Sequence, residues 1–302
     1  MKIVWSPDYE VDIGAHVFPT RKYRLVKERL VAEGVISEVD LVRPNPASED
    51  DLARVHTLGY LRKIREDDLT PAERLTLEVP FSAGLREAMI LCCGGTTECG
   101  RRALADGVCV HLGGGFHHAF ADHGEGFCLL NDVAVAARAL LAEDAIEHAA
   151  VVDLDVHHGN GTAAIFADDP TVFTFSMHQE YNYPAMKPSG DVDVGLPDGI
   201  SDEDYLSILD RHLSHVLRDH GFDLVFYLAG ADPYREDQLG GLGLTRDGLR
   251  ERDRLVLGAC RRRAIPVAVV PAGGYALETN DTIEIHCNTV REAKACASRA
   301  MS

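Results

Sequence analysis

Apolar, β-rich runs recur along the chain: KIVW (2–5), VCVHL (108–112), AAVVDLDV (149–156), TVFTFSM (171–177), FDLVFYLAG (222–230) and IPVAVVPAG (265–273). Their apolar positions are nearly continuous rather than alternating, the pattern of strands buried on both faces. Helical patterns lie between most of them. DVAVAARALLAEDAIEH (132–148) is rich in Ala and Leu. SEDDLARVHTLGYLRKIRE (48–66), SDEDYLSILDRHLSHVLRDHG (201–221) and TRDGLRERDRLVLGACRRR (245–263) each open on a Ser or Thr that can cap a helix. Cys92, Cys93 and Cys99 fall in a further helical stretch. This alternation predicts an α/β fold with a mainly parallel central sheet. No repeat, low-complexity tract or linker interrupts it, so residues 1–302 read as a single domain. In open parallel sheets, ligands bind beyond the carboxyl ends of the strands. The segments just after four of the runs carry the chemical residue types: GGGFHH, DLDVHHGNG, AD and GY. They are predicted to converge at one edge.

Composition narrows the function. Hydrophobic residues make up 46% of 302, enough for a sizeable core. The formal net charge of -18 argues against a nucleic-acid binder and against electrostatic docking on an anionic membrane. It would attract a cationic ligand or protein tail, and it also simply keeps a protein soluble. No run approaches a membrane span, and MKIVWSPDYE is not a secretory signal. The eight cysteines form no CxxC pair, so reduced, buried thiols and a cytoplasmic location are expected.

Asp155 and His157 are one residue apart, which on an extended chain points both side chains to one face. Asp232 ends another buried run. Two carboxylates and one imidazole suit a borderline divalent cation such as Zn²⁺ with an open position, and Fe²⁺ can occupy similar ligands. Asp153 and Asp155 sit inside an apolar run, where each acid would cost several kcal/mol if unpaired. His117 and His118 follow a triple glycine, and a histidine pair beside a metal site is a natural general acid and base. Asp153 and Asn160 are candidate partners for their other ring nitrogens. Tyr275, after Gly273 and Gly274, is placed to donate to a developing oxyanion. Alone, each feature has a blander reading: loop acids, solvated histidines, an aromatic cap on the core. Gly159 and Gly161 are read as the residues that let the backbone turn tightly after the strand, and His158 as structural.

With these residues in hand, the chain resembles the histone deacetylase family of zinc-dependent amidohydrolases. The matching blocks are VHTLGYL (55–61), HLGGGFHHAFADHGEGFCLLND (111–132), DLDVHHGNGT (153–162), AGAD (229–232), LGGLGLT (239–245) and PAGGY (271–275). The opening KIVWSPDY and the block GGGFHHAFADHGEGFC look most like the class IV branch and its bacterial relatives. The resemblance implies a three-layer arginase/deacetylase-like fold and hydrolysis of N-acyl-lysine, acetyl or longer. It implies zinc ligands Asp155, His157 and Asp232, with His118 as general base and acid and His117 stabilising charge. Asp153 would bond the first histidine, and Tyr275 would be the transition-state tyrosine. Gly126, Phe127 and Tyr183 would line the substrate channel. A structural K⁺ would be held by Asp153, Asp155, His157, Ser176 and Met177, largely through backbone oxygens.

Two positions depart from relatives. Asn160 stands where some branches have Asp, so it can orient the second histidine without stabilising its cation. Leu239 stands where polyamine-specific relatives carry a glutamate, although Glu236 and Asp237 lie nearby. The main alternative is a small-molecule deacylase acting on acetylated polyamines or a secondary metabolite. A non-catalytic acyl-lysine binder is disfavoured because neither Tyr275 nor a ligand is lost, and a two-manganese ureohydrolase because a second metal needs additional aspartates where His117 and His118 stand instead. Sequence leaves the oligomeric state open.

Overall fold

The computed structural model describes residues 1–219 and 221–298. Its eight strands are β1 (Ile3–Val4), β2 (Leu41–Val42), β3 (Val108–His111), β4 (Ala149–Asp153), β5 (Val172–Gln179), β6 (Val192–Leu196), β7 (Leu224–Leu228) and β8 (Val267–Val270). They form one all-parallel sheet in the order β2-β1-β3-β8-β7-β4-β5-β6. The central strands are buried on both faces, as their continuous apolar runs predict. Along β4, Ala149 and Val151 enter one core cluster and Ala150 and Val152 the other. Along β7, Leu224, Phe226 and Leu228 face one way and Val225 and Tyr227 the other. The helices Ala83–Asp106 and Asp132–Ala142 cover the first face. Lys22–Ala32, Asp202–Asp219, Arg246–Arg262 and Thr279–Ser298 cover the second, giving three layers. Burying a large apolar side chain in such a core contributes roughly 1.5–3 kcal/mol. Among the described residues no helix is long and apolar enough to cross a membrane.

Several expected boundaries move. The helix expected over 48–66 is two helices, Glu49–Ala53 and Leu58–Glu66. The break is made by His56, whose buried ring donates through Nδ1 to Phe120 O at 3.0 Å and accepts at Nε2 from Asn131 N–H at 3.1 Å. Thr57 then caps the second helix by accepting from Tyr60 N–H. The helix expected to reach residue 148 stops at Ala142, where Asp144 takes a left-handed conformation at φ 53°. The helix expected over 201–221 is Asp202–Asp219, with His220 outside the described residues. The short edge strands β2 and β6 lack the continuous apolar pattern and escape it.

Strands β3, β8, β7 and β4 are consecutive neighbours in the sheet. They are the four whose ends carry the chemical residue types, so sheet order alone brings those ends side by side. Beneath them, the buried guanidinium of Arg252 joins two strand ends. Its Nη1 donates to Gly230 O at 2.6 Å and to Leu154 O at 3.3 Å, while Nε and Nη2 donate to Asp253 Oδ1. Asp253 also accepts from Tyr227 and Thr289 hydroxyls, each at 2.6 Å. Arg252→Met leaves Asp253 a buried charge without its cation, so the variant should lose about 3–5 kcal/mol in denaturant unfolding. A loss within about 0.5 kcal/mol, the scale of an ordinary surface change, would remove this network from the account.

Candidate metal and catalytic centre

Asp155, His157 and Asp232 present ligand atoms within 4.8 Å of one another, and all three side chains are buried. Strand alternation is not what joins the first two: β4 ends at Asp153, and residues 155–157 form a bend. There Asp155 Oδ1 accepts from His157 N–H at 3.0 Å and lies 3.1 Å from His157 Nδ1. Asp155 Oδ2 accepts from Gly273 N–H at 2.8 Å, tying the β4 and β8 loops together. Asp232 Oδ1 accepts from Val156 N–H at 3.0 Å. Its Oδ2 is buried, has no hydrogen-bond donor among the described residues and lies 3.4 Å from His157 Nδ1. A Cβ on Gly273 would sit 1.9 Å from that oxygen, so only glycine leaves room for the carboxylates.

This donor set fits a divalent cation. Two buried carboxylates share one imidazole, and an acceptor oxygen has no donor. The electrostatics agree. Burial, then the Asp155 charge, raises the Asp232 carboxyl to about 7. Burial alone would lower His157, but the two carboxylates override it and raise it to about 10. The site is short of positive charge, which a bound cation would supply.

His117 and His118 face this cluster from the β3 loop. The preceding glycines serve the turn: Gly114 and Gly115 have φ of 72° and 86°. Asp132 holds the loop by accepting from Gly115 and Phe116 N–H at 3.1 and 2.7 Å and from the Thr96 hydroxyl. His117 Nδ1 lies 2.6 Å from Asp153 Oδ2, and His118 Nδ1 lies 2.7 Å from Asn160 Oδ1. The two Nε2 atoms are 3.1 Å apart. Burial would depress His117, but Asp153 and then Asp155 raise it to about 9. Burial, with the charges of His117 and His157, holds His118 well below the usual histidine range. The two environments push the paired imidazoles in opposite directions, His117 toward its protonated form and His118 toward its neutral form. The Asn160 amide meets the second histidine at 2.7 Å without adding charge.

Gly159 and Gly161 are needed for space rather than for turning, and neither has positive φ. A Cβ at Gly159 would lie 2.5 Å from Asp153 Oδ2, and one at Gly161 would lie 2.2 Å from Ala119 O. His158 is fully buried, with Nε2 3.1 Å from Asp193 Oδ1.

Phe127 and Tyr183 flank the approach. Gly126 and Phe127 both have positive φ, 52° and 70°. For Phe this costs about 1–2 kcal/mol. The strained turn is pinned by Gly126 and Phe127 N–H donating to Thr76 O and Leu77 O at 3.2 and 2.9 Å. Tyr183 stands edge-on to His118, with ring centroids 5.1 Å apart. Leu239, Phe127, Tyr183 and Tyr275 line an outer cavity of about 160 Å³ that reaches His118 and His157. A second, inner cavity, lined by Tyr23, Gly115, Phe116, Tyr275 and the same histidines, has only about 20 Å³. Such a space holds roughly one water. Ser176 and Met177 lie on β5, with Ser176 in register with Asp153.

Four residues without an expected role also build the site. Asp237 accepts from Tyr275 N–H at 2.6 Å and from Leu239 and Gly240 N–H at 2.9 and 3.1 Å. It is a loop anchor, not a free acid at the mouth. Buried Lys22 donates to Ala272 O at 2.5 Å, and burial lowers it to about 8. Glu125 accepts from both Asn160 and Tyr183. Asp132 is the fourth. Glu125 and Asp132 lie inside a motif read from the sequence, but only tertiary contacts reveal their partners.

Residues 16–290 match the model of the histone deacetylase domain. The chain is 42% identical over 293 residues to an uncharacterized protein of Picosynechococcus sp., covering 97% of this chain and 98% of that one. It is 30% identical over 290 residues to histone deacetylase 2 of Arabidopsis thaliana, covering 91% and 74%. Its fold is similar to the crystal structure of an HDAC homolog from Aquifex aeolicus, with TM-score 0.83 and 23% identity, covering 97% and 84%.

Proposed function

The chain belongs to the histone deacetylase family and is a deacetylase-type hydrolase, and on that premise we propose that it cleaves the amide of N-acetyl-lysine with Zn²⁺. The observation that carries this reading is the histidine pair, its Nδ1 atoms held by Asp153 and Asn160, facing a buried cluster of two carboxylates and an imidazole. Asp155, His157 and Asp232 would hold the ion, whose chemistry when bound is to polarise a carbonyl and lower the pKa of water to about 7.

The side chains supply the proton chemistry. His118 carries hydrogen on Nδ1, bonded to Asn160, and its Nε2, which faces His117 Nε2 at 3.1 Å, would exchange that contact for the attacking water and take its proton. His117, held by Asp153, keeps its positive charge beside it and offsets the negative charge developing on the amide oxygen. The Tyr275 hydroxyl donates to that oxygen, a contribution of about 3 kcal/mol in the transition state. His118 then returns its proton to the leaving lysine nitrogen. Gly126, Phe127 and Tyr183 wall the lysine methylenes, and Leu239 contributes apolar surface at the mouth. We further assign a structural K⁺ to Asp153, Asp155, His157, Ser176 and Met177; the pairing of Asp153 with Ser176 supports this. Buried free thiols at Cys92, Cys93 and Cys99 support a reducing, cytoplasmic setting.

Chain length is the finer choice, and the narrowness of the inner cavity beside Tyr275 and the histidines supports a short acyl group over a fatty chain. Leu239 at the mouth and the fully engaged Asp237 count against an acetylpolyamine. The test is a panel of acetyl-, octanoyl- and myristoyl-lysine peptides and acetylpolyamines, assayed with Zn²⁺ and with Fe²⁺. Acetyl-lysine peptide should have a kcat/KM about 100-fold above the others, a difference of about 2.7 kcal/mol. It should be blocked by a hydroxamate. Preference for myristoyl-lysine, or for a polyamine, would overturn the substrate assignment. Full activity with Fe²⁺ alone would overturn the choice of metal.

A further inference from the structure

An asparagine amide has one accepting oxygen and one donating NH₂, and its orientation decides which nitrogen of a facing histidine carries hydrogen. Asn160 Nδ2 donates to Glu125 Oε1 at 2.6 Å, and Asn160 Oδ1 faces His118 Nδ1 at 2.7 Å. A carboxylate oxygen in this role only accepts. The reversed amide would set oxygen against oxygen at Glu125, so His118 Nδ1 bears the hydrogen and Nε2 keeps its lone pair. Glu125 is itself anchored. Its backbone exchanges two hydrogen bonds with Cys128, at 3.0 and 2.8 Å, across the strained turn that carries Gly126 and Phe127. The same Oε1 accepts from the Tyr183 hydroxyl at 2.9 Å, and Oε2 lies 3.5 Å from His123 Nε2.

We propose that Glu125 is a positioning residue for hydrolysis: it locks the Asn160 amide, which fixes His118 as the tautomer with a free Nε2. This rests on His118 acting as the base. The negative charge that an Asp at position 160 would place directly on His118 is here moved one hydrogen bond outward. An Asp at 160 would instead confront Glu125, carboxylate to carboxylate.

That conflict gives a test with a change of sign. Kinetics of the wild type, Glu125→Gln, Asn160→Asp and the double variant on an acetyl-lysine peptide are compared, with metal content measured for each. Glu125→Gln can present either an oxygen or an NH₂ to Asn160, so kcat should fall about tenfold while KM stays within about twofold. Asn160→Asp should lower kcat by about 10–100-fold. Adding Glu125→Gln to Asn160→Asp should raise kcat, because Gln can donate to Asp. Tyr183→Phe, which removes the other donor to the same oxygen, should act on KM. The proposal is overturned if Glu125→Gln lowers kcat by the same factor in both backgrounds, or if Tyr183→Phe alone reproduces its effect. The ¹⁵N shifts of His118 give an independent reading. Wild type should show the Nδ1–H tautomer and Glu125→Gln a mixture; an Nε2–H tautomer in the wild type overturns the proposal. If His118→Ala stays active, the base assignment falls, whereas the ¹⁵N shifts still report whether Glu125 controls the ring.

Discussion

His118→Ala should lower kcat by about 10²–10⁴-fold while the protein keeps one equivalent of divalent metal. The ring lies outside the ligand cluster, so its loss removes no metal donor. What goes is the Nε2 lone pair, 3.1 Å from His117 Nε2 and oriented through Asn160. His117 is not placed to take over, because its Nδ1 is engaged by Asp153 at 2.6 Å, and that carboxylate favours its protonated form. The fold should tolerate the change, since among the described residues the His118 ring hydrogen-bonds only His117 and Asn160. Activity within about threefold of wild type, with metal bound, would remove His118 from the chemistry, since a positioned base contributes at least about 10²-fold.

The second large effect is expected at the ligands. Asp232→Asn keeps the shape of the side chain and removes one of two buried negative charges. Metal retention after dialysis should fall from one equivalent to near zero, and turnover with it. Stability should not fall in parallel. In the metal-free protein burial and the Asp155 charge raise the Asp232 carboxyl to about 7, so the 3.4 Å approach of His157 does not fully offset the cost of its charge. The metal-free variant should therefore melt no lower than metal-free wild type. Added Zn²⁺ should raise the melting temperature of the wild type only, because a ligand stabilises only the folded state it binds. A variant that melts well below the metal-free wild type would show that Asp232 serves the fold rather than an ion.

How far the sequence carries this account can be judged residue by residue. The acids of DLDVHH were legible because charged side chains in an apolar run need partners. The convergence of loops followed from parallel strands, and the order β3, β8, β7, β4 made it literal. Asp155 and His157 are united by a bend after β4 rather than by strand alternation, and a spacing of two residues does not distinguish the two. Gly159 and Gly161 were read as turn residues, yet they make room for Asp153 and for the Ala119 carbonyl. The break in the 48–66 helix was invisible because His56 is drawn inward by Phe120 and Asn131, both distant in sequence. Glu125, Asp237, Lys22 and Arg252 act through backbone groups or amides far along the chain, and no local pattern reports such contacts.

The most direct measurement is a crystal structure of the purified protein with anomalous data collected on both sides of the zinc absorption edge. The account predicts a single strong zinc peak bounded by Asp155, His157 and Asp232, with His118 and Tyr275 facing it. Carboxylates and imidazole turned away from one another around water, in protein grown with excess Zn²⁺, would contradict it.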